Sequence, residues 1–182
     1  MTRRVISISG PPGVGKSTLV NAIVEKTDAT AVYYDDYEVI TRWSPADVTA
    51  WLDAGAPFEE AIAPGLYERI QELDGLVVLE TPFGPACPQI GPLIDGSVWL
   101  DCPLDVALAR KLSALAVQGA GSHDFQGFLR GWLTAYQGFT RRALLVQLER
   151  VRPITDLQVD ASGALGNYVS RVFSFINHHL TP

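Results

Sequence analysis

Residues 10–18 read Gly10-Pro11-Pro12-Gly13-Val14-Gly15-Lys16-Ser17-Thr18. The run matches the phosphate-binding loop pattern, in which a glycine, any four residues and Gly-Lys precede a serine or threonine. Alternating apolar residues over 4–9 predict a strand before it, and the apolar spacing over 17–26 predicts a helix after it. Because the motif requires a loop between a strand and a helix, the sequence favours a nucleotide phosphate site over a plain Gly/Pro turn.

The residue types of this loop suit a chain of phosphate groups. Gly13 and Gly15 accept backbone conformations that a side chain would resist, and they let phosphate approach the main chain. The N–H groups of the loop and the N-terminus of the next helix together form a positive cradle. Lys16 is expected to reach the β and γ phosphates, and the Ser17 hydroxyl to hold Mg²⁺. The predicted nucleotide-binding residues are Gly10, Gly13, Val14, Gly15, Lys16, Ser17 and Thr18.

Beyond the loop, the chain alternates between strand-like and helix-like runs. Strands are predicted at about 4–9, 29–34, 76–80, 97–101 and 154–159. Helices are predicted at about 17–26, 44–55, 58–73 with a break at Pro64-Gly65, 104–117, 122–150 and 165–180. This alternation indicates an α/β fold in which helices cover both faces of a parallel sheet. A length of 182 residues fits a single domain that spans 1–182.

Composition and charge narrow the classes of function. The net charge of −6 argues against general nucleic-acid binding, and no apolar run is long enough to span a membrane. The two cysteines, Cys87 and Cys102, lack the spacing of a metal site, and the chain has no signal-peptide pattern. These features predict a cytoplasmic protein without a nucleic-acid or membrane partner.

Basic side chains concentrate late in the chain. Residues 1–101 hold 15 acidic and 6 basic side chains, whereas residues 102–182 hold 5 acidic and 8 basic ones. A small helical lid that closes over phosphates would need cations there, although a solvated basic helix gives the same pattern. We expect the lid at about 110–130, with Gly119-Ala120-Gly121 as its joint and Arg110 as a catalytic cation.

Acidic residues follow three of the predicted strands. Asp35-Asp36 follows the second strand, Glu80 ends the third and Asp101 ends the fourth. The carboxyl ends of the strands in an open α/β sheet face the ligand crevice. We expect one of Asp35 and Asp36 to accept the proton of an attacking hydroxyl, and Glu80 to hold Mg²⁺ through water or to contact substrate. Asp101 is expected instead to cap the helix that begins at Pro103.

Residues 28–80 are expected to form most of the side that binds a phosphate acceptor. They hold twelve acidic side chains and only Arg42 and Arg69 as cations, so a phosphorylated acceptor would meet an unfavourable field. Aromatic residues in nearby loops would give a flat molecule a surface to lie on. The predicted acceptor-binding residues are Asp35, Asp36, Tyr37, Arg42 and Phe83. The sequence therefore favours a small neutral or cationic alcohol, nucleoside-like or sugar-like, as the acceptor.

Five pieces of the chain match one group of enzymes. They are the loop at 10–18, Asp35-Asp36-Tyr37, Glu80, the stretch from Trp99 to Lys111, and Val159-Asp160-Ala161-Ser162-Gly163. In these pieces the chain resembles P-loop small-molecule kinases of the uridine kinase and nicotinamide riboside kinase group. The resemblance implies strand order 2-3-1-4-5, ATP and Mg²⁺ as cosubstrates, and a base-contacting loop at 159–163. It also implies that Asp35 is the general base and that Glu80 contacts the acceptor or Mg²⁺.

Other classes of nucleotide-binding protein fit less well or stay open. The chain has no Asn-Lys-x-Asp motif, which argues against a GTPase. A nucleoside monophosphate kinase stays open because Arg42 and Arg69 would be able to clamp an acceptor phosphate. An antibiotic-modifying phosphotransferase, a nucleotide-binding regulatory module and a homodimer stay open as well. Among these the sequence favours an ATP-dependent phosphotransferase that acts on a hydroxyl of a small molecule.

Overall fold

A parallel five-stranded sheet forms the centre of the computed structural model, which describes residues 3–119 and 123–180. Its strands are β1 (Arg4–Ser9), β2 (Thr30–Tyr33), β3 (Leu76–Glu80), β4 (Gly96–Asp101) and β5 (Leu157–Asp160). They lie in the order β2-β3-β1-β4-β5, and each neighbouring pair is parallel. The predicted sheet and its strand order are therefore confirmed.

Helices pack on both faces of this sheet. Within the described ranges the α-helices are α1 (Lys16–Lys26), α2 (Pro45–Asp53), α3 (Leu66–Gln71), α4 (Leu104–Gln118), α5 (Phe125–Ala135), α6 (Arg141–Arg150) and α7 (Val169–Leu180). Short 3₁₀ turns join several of these elements. None of these helices has the length and apolar character that a membrane crossing requires.

The sheet separates two hydrophobic cores. Side chains alternate along β1, so Val5 lies in one core, whereas Ile6 and Ile8 lie in the other. The first core includes residues of α2, α3 and α6, and the second includes residues of α1, α4 and α7. Both faces of the central strand are buried, as expected for a parallel sheet. The loop at 10–18 follows directly from the carboxyl end of this strand.

Two predicted helices differ from the structure. The run at 58–73 is helical only in α3, since the residues before Gly65 form turns and Gly65 itself has a φ of +82°. The long helix predicted at 122–150 consists of α5 and α6, joined by a π-helical segment at Tyr136–Thr140. A π-helical segment has i→i+5 hydrogen bonds in place of the i→i+4 bonds of an α-helix, and such segments are rare. The predicted joint at Gly119-Ala120-Gly121 lies mostly outside the described residues.

The sequence predicts side-chain caps at the starts of two helices, and the structure confirms one of them. Ser44 caps α2 as expected, in a reciprocal pair of hydrogen bonds with Asp47 at 3.2 Å each. The cap expected at Asp101 is wrong, and α4 begins without a side-chain cap. The Asp101 carboxylate instead accepts hydrogen bonds from Arg152 (2.8 Å) and from the indole N–H of Trp99 (3.4 Å). A guanidinium is a stronger partner for a carboxylate than a neutral backbone N–H.

Arg150 of α6 braces the turn that follows α2. Its guanidinium donates to the carbonyl oxygens of Gly55 (2.8 Å) and Ala56 (2.7 Å), and it lies 4.0 Å from the ring centre of Phe58. Ala56 has a φ of +51° and is the one non-glycine residue with positive φ in the part of the chain that the structure describes. Such a conformation costs roughly 1–2 kcal/mol for a residue with a side chain. Arg150 therefore holds a strained turn in place and does not belong to a lid.

Replacing Arg150 with methionine should lower the free energy of unfolding by about 1–3 kcal/mol, because two charge-assisted hydrogen bonds to the strained turn are lost. Arg141→Met is the matched control, since Arg141 is an exposed arginine of the same helix whose side chain makes no hydrogen bond or ion pair to the described residues. Its effect should stay within about 0.5 kcal/mol. Urea unfolding followed by circular dichroism measures both variants. Equal losses would show that Arg150 does not brace the turn.

Candidate active site

The phosphate-binding loop lies directly against α4 and β4. Gly10, Gly13 and Gly15 have φ values of +148°, +85° and +108°, in the region that favours glycine. A side-chain carbon at Gly10 would lie 2.7 Å from the carbonyl oxygen of Leu100, and one at Gly13 would overlap the carbonyl oxygen of Ala107. Gly10 and Gly13 are therefore required both by their backbone conformation and by close contact with neighbouring main chain.

The first turn of α1 opens onto the space above this loop. Ser17 and Thr18 are exposed, and the N–H groups of a first helical turn have no acceptor within the helix. Val14, in contrast, is buried, and its N–H donates to the carbonyl oxygen of Pro11 at 3.2 Å. The first turn of α1 is thus free to receive phosphate oxygens, whereas Val14 shapes the loop.

A cavity of about 490 Å³ opens over the loop. Its walls come from the ends of β2 and β3, from α4 and from α6. The predicted site residues that line it are Gly10, Gly13, Gly15, Lys16, Ser17, Thr18, Asp35, Glu80 and Arg110. The volume lies within the usual range for small-molecule sites. The fold therefore gathers residues from four distant segments of the chain into one site.

The ammonium group of Lys16 lies between loop carbonyls and a carboxylate. Its Nζ is 3.0 Å from the carbonyl oxygen of Gly10, 3.4 Å from that of Pro11 and 3.8 Å from Oε1 of Glu80. Burial lowers the pKa of Lys16, and the carboxylates of Glu80 and Asp35 partly oppose that shift. A phosphate group in the cavity would supply the negative charge that this buried ammonium lacks.

Glu80 ends β3 with one carboxylate oxygen unpaired. Oε1 faces Lys16, whereas Oε2 is buried and has no hydrogen-bond partner among the described residues. Leaving such an oxygen unsatisfied is costly, and a bound cation would satisfy it. The Ser17 hydroxyl lines the same cavity. Ser17 and Glu80 therefore offer oxygen ligands of the kind that bind Mg²⁺ beside phosphate groups. Within 3–119 and 123–180, no group of three or more His, Cys, Asp or Glu side chains is arranged to hold a metal.

Asp35 reaches the cavity from the turn after β2. Tyr34–Asp36 forms a 3₁₀ turn in which Asp35 lines the cavity, whereas Asp36 is exposed outside it. Glu38 follows and is 8% exposed; its carboxylate accepts hydrogen bonds from the N–H (2.9 Å) and the hydroxyl (2.6 Å) of Thr41. This buried, satisfied carboxylate fixes the path of the chain just after the turn that carries Asp35.

Besides Asp36, three more residues predicted to contact the acceptor lie away from the cavity. The Phe83 side chain is buried, and its ring packs against those of Tyr34 and Phe58, with centroid distances of 5.5 and 4.7 Å. Tyr37 is half-buried against the same core, and Arg42 is exposed at the end of a 3₁₀ turn. The structure does not bring these three residues together with Asp35. Burial of the Phe83 ring in the core outweighs any role for it as an exposed surface.

Arg110 lines the cavity from α4, but its guanidinium is bound elsewhere. It donates to the carbonyl oxygens of Ala161 (2.7 Å), Ser162 and Gly163 (3.2 Å), which belong to the loop after β5. The planar fork of N–H donors thereby ties α4 to that loop. Contact between Arg110 and a phosphate group stays a prediction.

Several cavity residues escaped the sequence reasoning. Thr81 and Pro82 directly follow Glu80, so extending the site past the end of β3 would have found them. Gln118 closes the cavity from the end of α4. Gln147 lines it from α6, whose orientation depends on the π-helical segment, and no pattern in the sequence signals that segment.

Comparison with known proteins shows the fold. No family model and no curated protein matches this sequence. A shikimate kinase from Bacteroides thetaiotaomicron matches with a TM-score of 0.50 and 15% identity, over 96% of this chain and 98% of that one. A shikimate kinase from Aquifex aeolicus vf5 matches with a TM-score of 0.52 and 13% identity, over 98% and 99%. This chain therefore shares the fold of these two solved structures. At such low identity the likeness extends to the fold alone, and these neighbours give no support to the narrower uridine kinase and nicotinamide riboside kinase group.

Gly13→Ala should destabilise the protein more than Gly75→Ala does. Both glycines have positive φ, +85° and +72°, so each alanine should cost about 1–2 kcal/mol in backbone strain. Nothing lies within 4 Å of a side-chain carbon at Gly75, whereas one at Gly13 meets the main chain of α4. That overlap should add about 1–3 kcal/mol. Denaturant unfolding measures the difference, and equal losses would mean that α4 does not rest on the loop.

Proposed function

We propose that this protein transfers the γ-phosphate of ATP to a hydroxyl group of a small neutral or cationic molecule. The observation that carries the proposal is one cavity in which a complete phosphate-binding loop faces two carboxylates, Asp35 and Glu80. Lys16 of the loop lies close enough to both carboxylates for their charges to act on it. The fold supports the same class of reaction, since two solved proteins that share it are shikimate kinases.

Different residues of the cavity bind the phosphates and accept the proton of the acceptor. The first turn of α1 and Lys16 bind the β and γ phosphates and hold them in line with the acceptor. Asp35 accepts the proton of the acceptor hydroxyl as its oxygen forms a bond to the γ-phosphorus. The bond from that phosphorus to the bridging oxygen breaks in the same step, and ADP leaves with the electron pair. The products are the phosphorylated alcohol and ADP, and Asp35 returns its proton to water.

Ser17 and Glu80 would hold Mg²⁺ in this scheme, and the ion would neutralise charge on the β and γ phosphate oxygens. The unpaired Oε2 of Glu80 supports this assignment, because it is buried beside the loop without a hydrogen-bond donor among the described residues. Glu80 also opposes the lowering of the Lys16 pKa and so helps to keep that ammonium charged.

The part of the cavity lining that lies outside the loop and α4 carries no cation. It consists of Asp35, Glu80, Thr81, Pro82 and Gln147, and we assign the acceptor to it. Arg42 and Arg69 do not line the cavity, and Arg69 lies 3.8 Å from Glu72. An acceptor that carries a phosphate or a carboxylate would meet the carboxylates of Asp35 and Glu80, and of these two only Glu80 faces Lys16. This favours a neutral or cationic alcohol over a nucleoside monophosphate, and over a carboxylate such as shikimate.

A paired kinetic comparison tests this substrate class. Release of ADP from Mg·ATP is measured with uridine, nicotinamide riboside, glucosamine and glucose, and in parallel with uridine monophosphate and shikimate. We expect the highest kcat/KM for a neutral or cationic alcohol. A higher value for the monophosphate, lost in Arg42→Ala or Arg69→Ala, would establish a monophosphate kinase instead. ATP binding without any acceptor-stimulated turnover would favour a regulatory module.

Asp35→Asn should lower kcat by about 10²–10⁴-fold and change the KM for ATP little, because a general base acts on the chemical step. Asp36→Asn is the matched control, since Asp36 is the adjacent exposed carboxylate and lies outside the cavity. Steady-state kinetics on the best acceptor gives both constants. Comparable losses in the two variants would remove Asp35 from the role of base.

A further inference from the structure

Few basic side chains in the second half of the chain are placed to reach a phosphate in the cavity. Residues 102–182 contain eight of them, and two, Arg110 and Lys111, line the cavity. Arg142 and Arg152 form ion pairs at 2.7 and 2.8 Å with carboxylates outside it, and Arg150 braces the turn after α2. The other three, Arg130, Arg141 and Arg171, are exposed and do not line the cavity. A cation that this half of the chain supplies to the transferred phosphate therefore comes from the pair on α4.

Arg110 is a poor candidate for that cation. Its guanidinium satisfies three carbonyl oxygens of the loop at 161–163. If the guanidinium moved to a phosphate, carbonyl oxygens of that loop would lose their hydrogen-bond donors. A partly buried carbonyl oxygen without a hydrogen bond is costly. The contacts give Arg110 a different task, which is to hold the loop after β5 against α4.

The side chain of Lys111 has no polar partner in the part of the protein that the structure describes, and Lys111 lies against the phosphate loop. It lines the cavity, and its ammonium makes no hydrogen bond or ion pair with residues 3–119 or 123–180. Lys111 and Lys16 are close enough that Lys111 adds to the lowering of the Lys16 pKa that burial causes. Two like charges in one cavity repel each other, and a bound polyphosphate relieves that repulsion.

The main chain fixes where the Lys111 side chain begins. A side-chain carbon at Gly13 would lie 2.9 Å from the backbone nitrogen of Lys111 and would overlap the carbonyl oxygen of Ala107. The turn of α4 from Ala107 to Lys111 thus rests on the phosphate loop itself. The ammonium is carried by a helix already seated against the loop, so its approach to the phosphates does not depend on the segment around 119–123.

We propose that Lys111 is a catalytic residue that contacts the transferred phosphoryl group, and that Arg110 is a positioning residue for the loop at 161–163. This inference rests on the proposed function. As the bond from the γ-phosphorus to ADP breaks, charge shifts onto the bridging oxygen and the three equatorial oxygens. Lys16 and Lys111, from two sides of the loop, would stabilise that charge more than the charge of the ground state.

Binding measurements with a transition-state mimic test this role without an identified acceptor. The probes are Mg·ADP alone and Mg·ADP with aluminium fluoride, titrated by calorimetry into the wild type, Lys111→Met and Arg110→Met. For Lys111→Met we expect the affinity for Mg·ADP to change less than about threefold and the affinity for the fluoride complex to fall about 10²-fold. Lys111→Arg should restore most of the loss, because it keeps the charge. Arg110→Met should weaken both probes by similar factors.

The outcomes separate the two proposals. If the wild type binds both probes and Lys111→Met loses nothing specific to the fluoride complex, the role of Lys111 is refuted while the proposed function stands. If Arg110→Met alone shows the specific loss, the two residues must exchange roles. If the wild type fails to bind Mg·ADP, the proposed function falls and this inference falls with it. Circular dichroism of each variant shows whether a loss reflects unfolding.

Discussion

The contact between the main chain of the phosphate loop and the main chain of α4 sets the geometry of the site. Gly13 is the point of contact, because any side chain there would meet the carbonyl oxygen of Ala107. Gly10 makes a similar approach to Leu100 of β4. The strand, the loop and the helix therefore lie in direct main-chain contact. A close-packed interior resists any change in these distances. The position of every side chain that α4 sends into the cavity follows from this contact.

Two charged groups of the site are largely removed from water. The Lys16 ammonium has two loop carbonyls and Glu80 as partners, whereas Oε2 of Glu80 has no hydrogen-bond partner among the described residues. A buried carboxylate oxygen of this kind reduces stability unless a ligand completes it. The buried carboxylate of Glu38, in contrast, has a hydrogen bond to each of its oxygens. The difference between these two carboxylates points to a ligand beside Glu80.

The parts of the structure that follow from local pattern were predictable from the sequence. The loop at 10–18 and the alternation of apolar runs predicted the sheet and helices, and the resemblance that these residues support gave the strand order. Acids at strand ends predicted that Asp35 and Glu80 share an edge of the sheet, because parallel strands end on the same side. The prediction of the elements and of the shared sheet edge needed only periodicity and topology, whereas the strand order needed the resemblance.

The remaining features depend on contacts between residues far apart in the chain. Phe83 looks like a loop aromatic in the sequence, yet packing against Tyr34 and Phe58 places it in the core. Arg110 has the sequence position expected of a lid cation, yet its guanidinium donates to carbonyl oxygens of residues some fifty positions later in the chain. Gln147 lines the cavity from a helix that follows the π-helical segment at Tyr136–Thr140. Residue propensities do not predict such a segment.

In the proposed function, the buried ammonium of Lys16 couples nucleotide binding to the proton activity of the solvent. In the free protein, burial lowers the pKa of this group, so neutralising it costs less than it would in water. Bound phosphates raise the same pKa, because they favour the charged form. A group whose pKa rises on binding takes up protons, so affinity for nucleotide is greatest below the pKa of the free protein and falls as pH rises through it. The heat of nucleotide binding at alkaline pH should then depend on the ionisation enthalpy of the buffer that supplies the proton.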